Sequence, residues 1–423
     1  MNHAIKPGNF VKVAFQGDAS VTDNGIDLVT QKSVVINFDS GKINDNQYAL
    51  HYAVDFAVKG TNTNEMEVGE YINRVQMVGS TKALAPTIIS QVDTAEISDY
   101  RVEMTDLSGE LYSRNQAVAL RNSDYFTQSL MICGGSGGDV FRVIKDESCG
   151  WFYGGGEWSR TGGNFEYKGT GTNTMRYAGG AQKAIDANWN ISLAGSLAQD
   201  WSKGYGGAWK SRSVTGQVGI AAKYSFDATK LSAGLSYSFS HSESQRAGVM
   251  LFDGTAETGR STDVVGGILR LSHDFVSSGV YARPYMDLGL AYMTGYSAEE
   301  HGAGALNLQI RRNSEGHAWM RPGFELGYEG IIPGQGTLNL FANISLQQRL
   351  SGTATAAYST LEGGPGGVDP MKALANLGET AFEVKTGLEL KLDDFGTVGL
   401  HFEHRTAGNL HDNAARLNLS IPF

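Results

Sequence analysis

Residues 380–392, TAFEVKTGLELKL, decide the fold class. Phe382, Val384, Leu388, Leu390 and Leu392 share one face of an extended chain, and Glu383, Lys385, Glu389 and Lys391 share the other, because successive strand side chains point to opposite sides. One face needs an apolar neighbour and the other needs water. A half-buried soluble strand and a strand of a membrane barrel both meet that description, so the rest of the chain must discriminate between them.

Working outward, the same alternation recurs. Val280, Ala282, Met286, Leu288, Leu290 and Tyr292 oppose Arg283, Tyr285 and Asp287. Beyond Cys149 about twelve candidate strands follow, each near the roughly 9–11 residues that a tilted membrane-spanning strand needs. They begin near Gly150, Thr172, Asn188, Ser213, Lys230, Thr262, Val280, Gly316, Thr337, Thr380, Thr397 and Ala414. Short links (KAIDAN, FDAT, VSSG, PGQG, LDDFG) alternate with long ones such as SHSESQRAGVMLFDGTAETG and SGTATAAYSTLEGGPGGVDPMKALAN. A soluble sandwich has no reason to sort its loops by parity, whereas an outer-membrane barrel places short turns on one rim and long loops on the other. An even strand count returns the C-terminus to the rim where the first strand starts. Trp151, Tyr153, Trp158, Trp189, Trp201, Tyr224, Phe239, Tyr292 and Phe423 fall near strand ends, as interfacial girdles would. Arg270, Arg283, Asp287, Arg321, Glu325, Glu383, Lys385, Glu389 and Arg416 fall on the face opposite the apolar one and are the expected lumen charges.

Composition agrees. With 55 Gly, 10% aromatic and 18% charged residues in 423, the chain suits a large twisted sheet. The net charge of −10 offers no basic field for nucleic acid. No run approaches the roughly 18 apolar residues of a membrane helix, which a barrel does not need. MNHAIKPGNF has no secretory pattern, so the chain is expected to be a fragment or processed form. Two cysteines, Cys133 and Cys149, are compatible with one disulfide or with two free thiols.

Upstream, FVKVAF, IDLV, VVINF and YALHYAVDFAV read as strands, best taken as the last rungs of a longer β-solenoid. From about Asn64 to Met131 helical spacing takes over, with Met104, Leu107 and Leu111 on one side of YRVEMTDLSGELYSRNQAVALRNSDYFTQSLM. A helix of roughly 30 residues would be about 45 Å long, and its polarity forbids direct contact with lipid. GGSGG (Gly134–Gly138) formally matches a nucleophile elbow around Ser136, but a helix precedes it and no strand does. The histidines, His273, His401, His404 and His411 among them, have no metal-ligand spacing, and no phosphate-binding or dinucleotide fingerprint occurs. No catalytic residue, cofactor or metal is expected.

The C-terminus, AARLNLSIPF, places Ala415, Leu417, Leu419, Ile421 and Phe423 on one face and ends on an aromatic, which resembles the signal read by the bacterial barrel assembly machinery. LSGELY (Leu107, Ser108, Gly109, Glu110, Leu111, Tyr112), CGWFYGGGEW (Cys149–Trp158) and YAGGAQKAIDANWNISLAGSL (Tyr177–Leu197) resemble the autotransporter family in type and order. The resemblance implies a type V secretion translocator. Its fold would be all-β, a twelve-stranded antiparallel transmembrane β-barrel with an α-helix in the lumen, preceded by a short β-solenoid-like remnant. Residues 1–63 would be passenger tail, 64–147 a helical linker with the pore helix at about 98–131, and 148–423 the barrel. Leu417, Leu419, Ile421 and Phe423 would form the assembly signal. The implied partners are outer-membrane lipid, the assembly machinery, periplasmic chaperones and the chain's own passenger, carried to the cell surface by a monomer. Some members cleave at an Asn-Asn step in the helix; no such pair occurs here, so that route is not implied. With the helix leaving the lumen at the periplasmic rim, a Cys133–Cys149 disulfide would close the link between helix and first strand. The competing reading is an outer-membrane porin or channel with an N-terminal periplasmic domain, whose lumen would stand open.

Overall fold

The structure, a computed structural model, describes residues 5–16, 32–131, 148–162, 169–332, 336–392 and 396–423. It opens with strands β1 (Gly8–Gln16), β2 (Ile36–Asn44) and β3 (Gln47–Val54). All their pairings are antiparallel, in the order β1-β3-β2. This corrects the expectation of solenoid rungs, which stack in parallel. The cause is local: at the β2–β3 turn the Asn46 amide donates to Asn44 Oδ1 (3.0 Å) and Asn44 Nδ2 donates to Gln47 Oε1 (2.9 Å), closing a tight reversal. The IDLV stretch lies outside the described residues.

Helices α1 (Thr63–Val78), α2 (Ala85–Asp93), α3 (Ile97–Leu107) and α4 (Glu110–Ser129) follow. Asn62 and Glu65 form a reciprocal capping box that starts α1. The long helix expected near residues 98–131 is divided. Ser108 is extended (ψ 137°), its hydroxyl accepts from the Glu110 amide (3.2 Å), and α4 restarts there. Gly109 lies so close to its surroundings that a Cβ would meet Ser359 Oγ at 3.0 Å. Met104, Leu107 and Leu111 nonetheless stay on one buried side across the break.

The remaining strands are β4 (Cys149–Thr161), β5 (Thr170–Ala184), β6 (Trp189–Gly204), β7 (Trp209–Phe226), β8 (Thr229–Ala247), β9 (Thr255–His273), β10 (Phe275–Ser277), β11 (Val280–Gly295), β12 (Ala298–Glu299), β13 (Leu308–Ile310), β14 (Asn313–Ile332), β15 (Gly336–Ser351), β16 (Ala354–Leu361), β17 (Met371–Asn376), β18 (Thr380–Leu392), β19 (Gly396–Ala407) and β20 (Leu410–Pro422). Twelve of them, β4–β9, β11, β14, β15 and β18–β20, form an antiparallel cylinder. β20 closes it on β4, from Leu410 opposite Thr161 to Pro422 opposite Cys149. Three-residue β10 continues β9 along β11.

The barrel strands run 12 to 20 residues, longer than the length expected from bilayer thickness. Pairing continues past the apolar band, and so most of SHSESQRAGVMLFDGTAETG is strand, with only residues 248–254 between β8 and β9. The other long link folds as β16 and β17, which join β12 and β13 in a four-stranded sheet outside the barrel. That sheet packs on α1, α3 and the start of α4, and Tyr71, Ile72, Leu107, Leu308, Ile310 and Leu361 belong to the shared apolar core. We call this assembly the cap. Of the short links, residues 333–335 and 393–395 lie outside the described residues.

Outward positions of the barrel are apolar, as at Leu193, Leu197, Leu235 and Leu290, and inward ones are Ser, Thr, Gln and charged residues. Of the expected girdle, Trp158, Trp189, Trp201, Phe239, Tyr292 and Phe423 are exposed on the outer surface, and Tyr224 packs against Trp189 at 4.9 Å. Trp151 and Tyr153 are not part of it. Strand parity turns both inward, stacked 5.8 Å apart against Phe126 and Leu130, while Phe152 between them faces out.

Candidate functional site

The lumen is the site, and α4 fills it. A twenty-residue helix studded with Arg, Asn, Gln and Tyr cannot sit in lipid, and the barrel's inward residues supply what it needs. At its N-terminal end Asn115 Nδ2 donates to Ser244 Oγ (3.0 Å) and Gln116 Nε2 to Asn313 Oδ1 (2.9 Å). At mid-helix Arg121 Nη1 donates to Ser159 Oγ (2.8 Å) and Asp412 Oδ1 (3.1 Å), with Nε 3.1 Å from Glu157. Asn122 donates to Asp200 Oδ2 (2.9 Å) and accepts from Arg176 Nη2 (2.6 Å). Tyr125 Oη donates to Glu403 Oε1 (2.8 Å), and the guanidiniums of Arg176 and Arg416 lie over its ring at 4.7 and 5.1 Å. The helix is thus tied to β4, β5, β6, β8, β14, β19 and β20 around the ring. Between helix and wall, the gap bordered by Arg121, Asp124, Thr127, Gly266 and Trp319 measures about 70 Å3.

Small wall residues make room for the helix. A Cβ on Gly219 would come within 2.7 Å of Leu130, and one on Gly266 within 2.8 Å of Thr127 Oγ1 and Ser236 Oγ. Leu130 and Met131, just past α4, lie near the short-turn rim, Met131 against Ile268 and Trp319.

All nine charges assigned to the lumen from sequence are buried inside it. Arg270 forks onto Asp287 (2.6 and 2.8 Å), Arg321 bridges Asp287 (2.8 Å) and Glu383 (3.1 Å), and Lys385 lies 3.8 Å from Glu383. Arg283 pairs with Asp274 and stands 3.9 Å from Glu325; Glu389 accepts from Asn339 (3.1 Å); Arg416 Nη2 donates to Glu403 Oε2 (2.7 Å). These pairs form a belt along β9, β11, β14 and β18–β20. Sequence reasoning missed Arg121, Glu157, Asp200 and Asp412, which join helix to wall. Their shared signal is parity, since each wall acid faces inward on its strand.

A second junction lies where α4 leaves the barrel. Tyr112 Oη donates to Glu300 Oε1 (2.6 Å), Arg246 pairs with Glu300 and donates to the Asp106 and Leu306 carbonyls, and the Leu308 amide donates to Glu300 Oε2 (2.8 Å). The Asp106 carboxylate accepts from the amides of Val249, Met250 and Leu251 at 2.8–3.1 Å. Leu107, Ser108, Gly109, Glu110 and Tyr112, the motif singled out in sequence, are buried at this junction. Nothing in the sequence pointed to Arg246 or Glu300, because they meet only through a loop 54 residues away.

Leu417, Leu419, Ile421 and Phe423 project outward from β20. Cys149 is buried at the start of β4 and is not a free thiol. Its expected partner Cys133, and Ser136, lie outside the described residues. Among the described residues no group of His, Cys, Asp and Glu is arranged to hold a metal ion.

The solved translocator domain of the autotransporter NalP from Neisseria meningitidis has this fold, with a TM-score of 0.59 at 11% identity over 75% of this chain and 100% of that one. The beta domain of the Bordetella autotransporter BrkA aligns with a TM-score of 0.48 at 13% identity, over 66% and 100% of the two chains. The transport unit of AIDA-I from Escherichia coli gives 0.43 at 13%, over 73% and 98%. No curated protein matches the sequence. The profile of the autotransporter beta-domain matches residues 150–403, more than half of the chain. This chain therefore belongs to the autotransporter family, and the barrel that encloses α4 is its outer-membrane beta-domain.

Proposed function

We propose that this barrel delivers its own N-terminal passenger to the cell surface and that α4 is the stretch left in the lumen when delivery ends. One observation carries the reading: α4 is threaded along the lumen, and the residues before it pack outside the long-loop rim, opposite the rim that bears both ends of the barrel sheet. A porin would leave that lumen open. Residues before about 64 are then passenger tail, and residues 64–107 a folded exit segment. Leu417, Leu419, Ile421 and Phe423 act as the signal for the barrel assembly machinery, with periplasmic chaperones escorting the unfolded chain. Cys133 pairs with Cys149 and tethers the end of α4 to β4, a closure that contributes about 3 kcal/mol against local unfolding. Reaction of both cysteines with a thiol reagent, under non-reducing and denaturing conditions, would refute the pairing.

Proteolysis of intact cells tests delivery. A general protease should trim epitopes placed before residue 64 and leave a heat-modifiable fragment containing the barrel and α4. Epitopes cut only after the outer membrane is permeabilised would contradict the reading.

A further inference from the structure

The outer surface of the barrel changes character where β4–β7 rise past Trp158 and Trp201. Below that level it is apolar; above it, cations gather. Register lays Arg160 opposite Gly171, Gly171 opposite Lys203, and Lys203 opposite Lys210 in one cross-strand row. In the row below, Trp158, Asn173, Trp201 and Arg212 follow one another in the same way, and Glu243 on β8 faces Arg212 without pairing with it. His411 faces Arg160 from β20. Arg160, Lys203, Lys210 and Arg212 are all exposed, and among the described residues none of the four has a carboxylate partner. Together with the two tryptophans they border an open concavity of about 1170 Å3, whose lining also carries Glu243 and Glu257, so the four cations outnumber the two acids.

This arrangement asks for an anion. Like charges directly opposite on neighbouring strands, as Lys203 and Lys210 are, destabilise a sheet unless something offsets them. Inside the same barrel most arginines are matched to Asp or Glu, as Arg270, Arg321, Arg405 and Arg416 are, with Arg260 and Arg349 as exceptions; what sets this patch apart is that four unmatched cations stand together on the outer surface. The height of the patch identifies the partner. Exposed tryptophans settle at the headgroup level of a bilayer, so cations one row higher meet lipid phosphates and sugars and not acyl chains. Guanidinium and ammonium groups are the usual phosphate binders, and the indole faces and the Asn173 amide suit a sugar.

We infer that the Arg160, Lys203, Lys210 and Arg212 patch binds the phosphate groups of an acylated, phosphorylated glycolipid in the outer leaflet. The inference rests on the orientation proposed above, in which the long-loop rim faces outward. Binding in detergent does not depend on orientation, so the two can fail separately.

The test is titration of the full chain in non-ionic detergent with a bisphosphorylated acylated diglucosamine, read by native mass spectrometry. Bound lipid is expected on the wild type, with affinity at least about tenfold weaker for the dephosphorylated lipid and for the variant Arg160→Gln/Lys203→Gln/Lys210→Gln/Arg212→Gln. Millimolar inorganic phosphate should not displace it. The variant Lys183→Gln/Lys391→Gln, at the other rim, should bind as wild type, and a heat-modifiable gel shift confirms that each variant is folded. Wild-type binding by the fourfold variant, equal loss in the Lys183 and Lys391 variant, displacement by inorganic phosphate, or equal binding of phosphatidylglycerol would each overturn the assignment.

Discussion

Arg121→Met removes the guanidinium that joins the middle of α4 to the wall. Arg121 Nη1 bonds Asp412 and Ser159, and Nε lies 3.1 Å from Glu157. Deleting one partner of a buried ion pair costs about 3–5 kcal/mol when the other is stranded. Here neither acid is wholly stranded, because Glu157 keeps Arg176 at 3.5 Å and Asp412 keeps Arg405 at 3.3 Å. The loss should therefore fall to about 2–3 kcal/mol, a factor of roughly 30–150 in the equilibrium between docked and released helix. Amide hydrogen exchange on the full chain reads this directly, because a helix held by side chains can open without the barrel. Exchange of α4 amides should accelerate by that factor, β5–β8 amides should not change, and Arg121→Lys should recover part of the loss. Unchanged α4 exchange, or equal acceleration in α4 and the strands, would refute the reasoning.

Three further outcomes follow from the same contacts. Gly266→Leu drives a side chain into Thr127 and Ser236, an overpacking worth about 1–3 kcal/mol; α4 protection should fall while the boiled and unboiled gel mobilities stay distinct. Tyr112→Phe removes the hydroxyl bonded to Glu300 and should lower the denaturant midpoint of the cap by the equivalent of about 1.5–3 kcal/mol, with barrel unfolding unchanged. Glu103, in the cap, is buried, and burial pushes its carboxyl above the ordinary value, with Asp106 and Asp99 adding to the effect and bonds from Ser90 and Thr94 opposing it. The folded cap thus holds this proton more tightly than the unfolded chain does, so stability from this group is greatest below the ordinary carboxylate pKa and falls as pH rises through the folded one. Glu103→Gln should flatten the pH dependence of helix thermal melting; an unaltered slope would contradict it.

The barrel was legible because its two rules are local. Period-two alternation needs only neighbours such as Glu383 and Val384, and loop parity needs only link lengths, so the sequence-based strand starts fell close to the observed ones over most of the barrel. What failed depends on partners far along the chain. The break at Ser108–Gly109 exists because β16 and the Arg246–Glu300 junction press on that turn, and helical spacing continues across it. Trp151 and Tyr153 were read by composition when their parity, odd against the outward Phe152, already set them inside. The antiparallel turn of β1–β3 was written in Asn44–Asp45–Asn46, a reversal signal outweighed by the expectation of a repeat. The helix–wall charges were half visible, since Asp200 and Asp412 faced inward without a partner on their own strands, and only the position of α4 identifies Asn122 and Arg121 as those partners.

The central claim is that α4 closes the lumen it occupies. Conductance in planar bilayers tests it most directly, comparing the full chain with a chain that begins at residue 132, each first shown to be a folded barrel by heat-modifiable migration. The full chain should stay closed apart from brief openings, and the shortened chain should show a steady ohmic channel. Equal conductance from the two would contradict the account.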